Sequence, residues 1–79
     1  MKLVTVESSN ISQIGFEENK VITLNQRPIN ILRVIFNNGL IYDYYNVEKD
    51  VFERFLDSNS KGKYLHEFIT NKYQYEKIG

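Results

Sequence analysis

A chain of 79 residues has room for one small domain and none for a second. Hydrophobic residues make up 42% and charged residues 25%, the balance of a folded globular chain rather than a disordered one. Ten basic and ten acidic residues cancel, which argues against a protein that grips a polynucleotide by neutralising many phosphates, because such proteins carry a marked basic excess.

Other classes fall away as quickly. There is no cysteine, hence no disulfide framework and no thiolate metal site. No apolar run approaches the ~18 residues of a membrane span, and Met1 to Val6 lacks the apolar core of a signal peptide, so a cytoplasmic location is expected. Enrichment in Asn, Ile, Lys and Tyr, all with A/T-rich codons, points to a low-G+C bacterium or its phage.

In chain order, Leu3-Val4-Thr5-Val6 reads as a short strand near 3–7, ended by the turn formers Glu7-Ser8-Ser9-Asn10. Ile11 and Ile14-Gly15-Phe16 give a second strand near 11–17, where Gly15 marks a bulge or a close backbone approach. Glu17 to Lys20 reads as a polar turn, Val21 to Leu24 as an extra short strand, and Pro28 as the stop before the next. In "INILRVIFNNGLIYDYYN" two alternating runs, near 30–37 and 40–45, flank Asn37-Asn38-Gly39, a hairpin signal. A two-residue loop would pair Val34 with Asp43. A three-residue loop with Gly39 in the left-handed region pairs Phe36 with Leu40, Val34 with Tyr42 and Leu32 with Tyr44, and sets Arg33 opposite Asp43. The second register keeps apolar with apolar and joins opposite charges, at roughly 0.2–1 kcal/mol per pair; it is the one expected.

Asn46 then reads as the N-cap of a helix near 47–57, with Glu48 and Asp50 in its first turn. Val47, Val51, Phe52, Phe55 and Leu56 form its apolar stripe, and Lys49/Glu53 and Asp50/Arg54 its outer ion pairs. Ser60 caps a second helix near 61–73 with the stripe Leu65, Phe68, Ile69 and Tyr73, and the tail from Gln74 is expected to fray. The pattern is α+β: one domain over 1–79, a small antiparallel sheet of three to four strands with a central hairpin, then two helices packed on one face. Ile31, Ile35 and Tyr45 lie on the other face, under a curled sheet or a second subunit. For so small a chain a homo-oligomer through that face is expected.

Catalytic constellations are absent. The single histidine, His66, has Glu67 beside it rather than one helical turn away, no serine sits in a G-x-S-x-G elbow, and no metal-ligand spacing occurs. A non-enzyme without cofactor or metal is expected. The sequence "SKGK" is the locally anomalous stretch. With Ser60 as cap, Lys61, Gly62 and Lys63 take the first helical positions, where the N–H groups lack acceptors and lysine opposes the dipole. Gly62 adds a helix-propensity cost of about 1 kcal/mol against alanine. Glycine and lysine at a helix start suit an approaching phosphate, although the G-x-x-x-x-G-K-[ST] loop is missing. Tyr42 and Tyr44 share one strand face, where one can stack a base while the other belongs to the core.

The stretches "VESSNISQIGF", "LRVIFNNGLIYDYYNV" and "SKGKYLHEFI…Y", from Val6 to Tyr73, resemble the KTSC family, a small domain named for its occurrence at the C-terminus of some lysyl-tRNA synthetases. The resemblance maps the family's serine pair to Ser8 and Ser9, its central tyrosines to Tyr42 and Tyr44, and its S-K-G-K to Ser60, Lys61, Gly62 and Lys63. The chain departs from the pattern at Glu48, where proline is usual, at His66 for an asparagine, at Thr70 for an arginine, and in a longer segment between Phe16 and Ile31. The resemblance implies RNA binding, and the missing arginine weakens a long phosphate track. Three functions follow as expectations. The first is a non-catalytic binder of a small phosphate-bearing nucleotide, cyclic or linear, serving a phage by sequestering a host signal. It would use Ser8, Ser9, Tyr42, Tyr44, Ser60, Lys61, Gly62, Lys63 and His66. The second is an RNA-binding module, and the third a protein–protein adaptor. The neutral charge places the small nucleotide first.

Overall fold

The computed structural model describes residues 1–79. Its elements are β1 (Lys2–Thr5), β2 (Ile11–Lys20), β3 (Ile29–Phe36), β4 (Ile41–Tyr45), α1 (Lys49–Asp57), α2 (Lys61–Tyr64), a π-helical segment (Leu65–Ile69) that continues α2 without a break, and β5 (Tyr75–Lys77). The strands form one antiparallel five-stranded sheet in the order β1-β2-β3-β4-β5, so every neighbour in space is a neighbour in sequence. The α+β expectation holds, with one strand more than expected.

Two-residue alternation decides which side chains meet the helices. Ile14, Leu32, Val34 and Tyr44 turn to the helical side and are buried with Val47, Phe55, Leu65 and Ile69 in one core. Aromatic stacks tie the elements together: Phe16 on Phe52 joins the sheet to α1 with ring centroids 4.6 Å apart, and Phe55 on Tyr64 joins α1 to α2 at 5.5 Å. Such pairs add about 0.5–1.5 kcal/mol each beyond the area they bury.

The hairpin adopts the three-residue loop. The Phe36 N–H donates to the Leu40 carbonyl at 2.8 Å, the Gly39 N–H donates to the Phe36 carbonyl at 3.0 Å, and Gly39 has φ of 90°. Val34 pairs with Tyr42 and Leu32 with Tyr44. On the outer face Arg33 donates two hydrogen bonds to Asp43, at 2.8 and 2.9 Å, and this pairing holds the guanidinium pKa above its ordinary value. Asp43 is only 5% exposed, so its charge needs that fork. Ile31 is 6% exposed within the single chain and needs no second subunit to cover it, while Ile35 and Tyr45 remain half-buried.

Several local expectations fail, each for a tertiary reason. Glu17 to Lys20 is strand rather than turn, because β2 continues past an irregularity in its pairing with β3, with Asn19 at φ of 56°. Val21 to Leu24 forms no strand and stands exposed in the β2–β3 loop. Of the two readings of Gly15, the bulge fails and the close approach holds, since a Cβ there would lie 2.7 Å from Leu3 Cδ2 and 3.0 Å from the Lys2 carbonyl oxygen. Asn46 is not the cap of α1: it sits at φ of 65°, donating its N–H to the Asn30 carbonyl at 2.7 Å, and Glu48 takes the cap position. Lys49 reaches across to Glu18 at 3.5 Å instead of along the helix to Glu53. The second helix stops at Ile69, and Phe68 is exposed rather than in the stripe. The tail does not fray but pairs with β4 as β5, setting Tyr75 beside Tyr44 and Glu76 beside Asp43.

Glu48 is fastened to the far end of the helical layer, where the Tyr73 hydroxyl donates to its carboxylate. That bond holds the Glu48 pKa below 4.5, and burial together with the same carboxylate pushes the Tyr73 phenol up to about 12. A carboxyl group depressed in the folded state stabilises above its unfolded pKa and loses that contribution as pH falls through its folded value. A phenol raised in the folded state stabilises below pH 10 and loses its contribution as pH climbs toward about 12. Tyr73→Phe is therefore expected to lower stability at pH 7 and to match the parent chain more closely at pH 3, as read by urea unfolding at both values.

Candidate functional site

Three segments far apart in sequence meet beside the hairpin loop. The Ser8–Asn10 turn precedes β2, the loop Asn37–Gly39 joins β3 to β4, and Ser60 to Lys63 opens α2. The Ser8 hydroxyl accepts from the N–H groups of Asn10 and Ile11, both at 3.2 Å, which closes the turn locally. Asn37 then fastens that turn to the hairpin. Its side-chain amide donates to the carbonyls of Ser8 at 3.2 Å and Ser9 at 3.0 Å, and its N–H donates to the Asn10 carbonyl at 2.8 Å. Gly62 completes the junction, since a Cβ on it would come within 3.3 Å of Asn10 Nδ2. The glycine therefore has a packing reason to be there.

The result is a cleft of about 310 Å³ with no hydrophobic residue in its lining, bounded by Glu7, Ser8, Ser9 and Asn10 on one side and by residues 59–63 on the other. Ser60 caps α2 by accepting from the Lys63 N–H at 3.4 Å. Lys61 turns away: its ammonium donates to the Ser58 carbonyl at 2.5 Å, the cap residue of α1, where positive charge suits the dipole of that helix. What reads in sequence as a lysine opposing one helix is a lysine capping another. Lys63 keeps only a loose pairing with Glu67 at 3.9 Å, with its side chain 73% exposed, and is the freer of the two charges.

Gly62 also borders a second cleft, of about 370 Å³, lined by Phe36, Leu40, Tyr42, Leu65 and His66 among others. Tyr42 is half-buried and stacks on Tyr75 at 5.5 Å with 13° between the rings. Tyr44 is 3% exposed, with its phenol pKa pushed up by burial. It belongs to the core and offers no face to a ligand. His66 is exposed at the rim of this cleft, on the π-helical segment closed by the Thr70 N–H donating to the Leu65 carbonyl at 2.9 Å. Such π turns recur at functional sites.

Of the nine residues singled out in sequence, Ser8, Ser9, Ser60, Lys61, Gly62 and Lys63 line one cleft, Tyr42 and His66 line the adjoining one, and Tyr44 reaches that cleft only from the core. Sequence reasoning missed Asn10, Asn37 and Tyr75. The repeated asparagines in "SSN" and "NNG" were the available signal, since short amides in turns bond neighbouring backbone.

Residues 7–73 match the family model described as the KTSC domain. A lysine–tRNA ligase of Trichormus variabilis is 38% identical over 47 residues, which is 60% of this chain and 8% of that protein. The lysine–tRNA ligase of Nostoc punctiforme is 30% identical over 76 residues, 96% of this chain and 12% of that protein. The chain thus spans about a tenth of the length of the ligases it matches. A Stutzerimonas stutzeri protein is 28% identical over 79 residues, covering 99% of both chains. The crystal structure of a KTSC domain protein from Yersinia pestis superposes with a TM-score of 0.80 at 28% identity, covering 99% of this chain and 97% of the other.

The two lysines are expected to separate in a stability measurement. Lys61→Ala leaves the Ser58 carbonyl at the end of α1 without its ammonium donor and is expected to cost about 0.5–1 kcal/mol in urea unfolding. Lys63→Ala is expected to stay within about 0.5 kcal/mol of the parent chain.

Proposed function

The chain belongs to the KTSC domain family, and on that premise we propose that it is a non-catalytic module that binds a small phosphate-bearing nucleotide. One observation carries the reading: the polar cleft of Ser8, Ser9 and Ser60 to Lys63 adjoins, through Gly62, the apolar and aromatic cleft of Phe36, Tyr42 and Leu65. A nucleotide has the same two halves. Its phosphate suits hydroxyls, the Lys63 ammonium and main-chain N–H groups without intrahelical acceptors. Its base suits the rim of Phe36 and Tyr42, with His66 and Asn38 beside it for polar edges. Lys61 acts at one remove, by fixing the end of α1 and the start of α2 against each other. A binder of this kind works by withholding its ligand, as in sequestration of a nucleotide signal.

RNA binding is the second reading, favoured by the ligases among the relatives, whose names place them on tRNA. Charge ranks it second. Ten bases against ten acids leave one compact cationic spot, enough for one or two phosphates.

Binding of cyclic and linear nucleotides and of short RNA, measured across a salt series, separates the two. A small nucleotide is expected to give a shallow dependence of log K on log salt, whereas single-stranded RNA gives roughly −0.7 per phosphate contacted. Lys63→Glu is expected to weaken the nucleotide about tenfold or more with unchanged thermal unfolding. A slope near −3 or steeper, on that same order-of-magnitude relation, replaces the small ligand by RNA.

A further inference from the structure

The largest cleft of the molecule, about 560 Å³, lies at the opposite end of the β3–β4 hairpin from the Ser8–Lys63 junction. At about 3.3 Å per residue of strand, the two sites stand roughly 20 Å apart. Arg27 of the β2–β3 loop, Tyr45 and Asn46 at the end of β4, and Lys72 and Tyr73 beyond the π-helical segment form its walls. The backbone builds it firmly. The Tyr45 N–H donates to the Gln74 carbonyl at 2.8 Å, the Asn46 N–H donates to the Asn30 carbonyl at 2.7 Å, and Asn46 turns the chain in the left-handed region.

The chemistry of the lining is specific. Neither Arg27 nor Lys72 has a carboxylate within 4.0 Å, so both cations are free to meet an anion. The one acid in the wall, Glu48, accepts from the Tyr73 hydroxyl and stays charged, so the two cations of Arg27 and Lys72 leave the lining with one net positive charge. Tyr45 is held at its tip as well, its hydroxyl donating to Glu76 at 3.3 Å. Both rings are thus anchored at their tips, and each remains half-buried. Two unpaired cations, two fixed aromatic rings and a volume in the usual range of small-ligand sites, about 300–1,000 Å³, occur together.

We propose that this cleft is a second binding site, taking a nucleotide unit with its phosphate between Arg27 and Lys72 and its base against Tyr45 and Tyr73. The guanidinium of Arg27 matches phosphate oxygens with two parallel donors, Lys72 adds a compact charge, and exposed amides at Asn46 and Gln74 suit the polar edge of a base. The site shares no residue with the cleft at Ser8 and Lys63, so it stands or falls separately from the function proposed there.

The test is a titration of the purified 79-residue chain with adenosine 5′-monophosphate and, separately, with single-stranded hexa-adenylate, followed by 15N–1H spectra. Saturable shifts are expected at the amides of Tyr45, Asn46, Lys72 and Gln74. Saturation by the mononucleotide assigns a free nucleotide; saturation by the oligonucleotide alone assigns a nucleotide unit of RNA. Arg27→Ala with Lys72→Ala, both exposed positions, is expected to weaken that response about tenfold or more, and Lys63→Glu to leave it unchanged. The proposal is overturned if neither ligand produces saturable shifts there, if the response survives loss of both cations, or if inorganic phosphate binds as tightly as the mononucleotide.

Discussion

The register of the β3–β4 hairpin is the constraint on which the rest of the molecule depends. Side chains alternate across a strand, so a slip of β4 by one residue against β3 would set Asp43 opposite Val34, turning Tyr42 and Tyr44 to the outer face and bringing the Asp43 carboxylate under the helices. Two features fix it together. Gly39 supplies the positive φ that a three-residue loop requires, and the Arg33–Asp43 fork is satisfied only when those residues stand opposite each other. With the register set, β2 adds along β3 and buries Ile14 beside Val34. The helices then have one apolar face to cover.

The same loop that sets the register also assembles the candidate site. Asn37 binds the serine turn through three hydrogen bonds from its side chain and main chain, and that turn meets the first residues of α2 across Gly62. Ends of elements rather than their middles supply the lining, so the scaffold is rigid while the polar groups stay in contact with solvent. At the other end of the hairpin, β4 finishes in Tyr45 and a left-handed Asn46, and the chain leaving the π-helical segment closes over it. One hairpin positions a cleft at each of its ends.

Much of this was legible in the residues. Alternation around "NNG" gave both the pairing and the ion pair, because hairpin rules are local and the charges leave one favourable alignment. The stripe of Val51, Phe52, Phe55 and Leu56 gave α1 for the same reason. The unlegible parts are those decided by distant partners. Tyr75 to Lys77 is three exposed residues with no pattern of its own, and becomes strand only because the edge of β4 is open to it. Lys61 looked misplaced because its acceptor, Ser58, belongs to the preceding helix. Asn46 carried a good capping side chain, yet the hydrogen bond to Asn30 drew it into a turn and left Glu48 at the helix start. Tyr42 and Tyr44 were indistinguishable in sequence; only the packing of the helices made one core and left the other at the rim of a cleft.

The central claim is that the serine turn and the start of α2 form one anion site. A titration of the protein with inorganic phosphate, followed residue by residue in 15N–1H spectra at low salt, tests it most directly. The amides of Ser8 and Ser9 and those of Gly62 and Lys63 are predicted to shift together along one binding curve with a single affinity. Shifts at Gly62 and Lys63 that leave the serine amides unmoved, or no saturable shift at either segment, would contradict it.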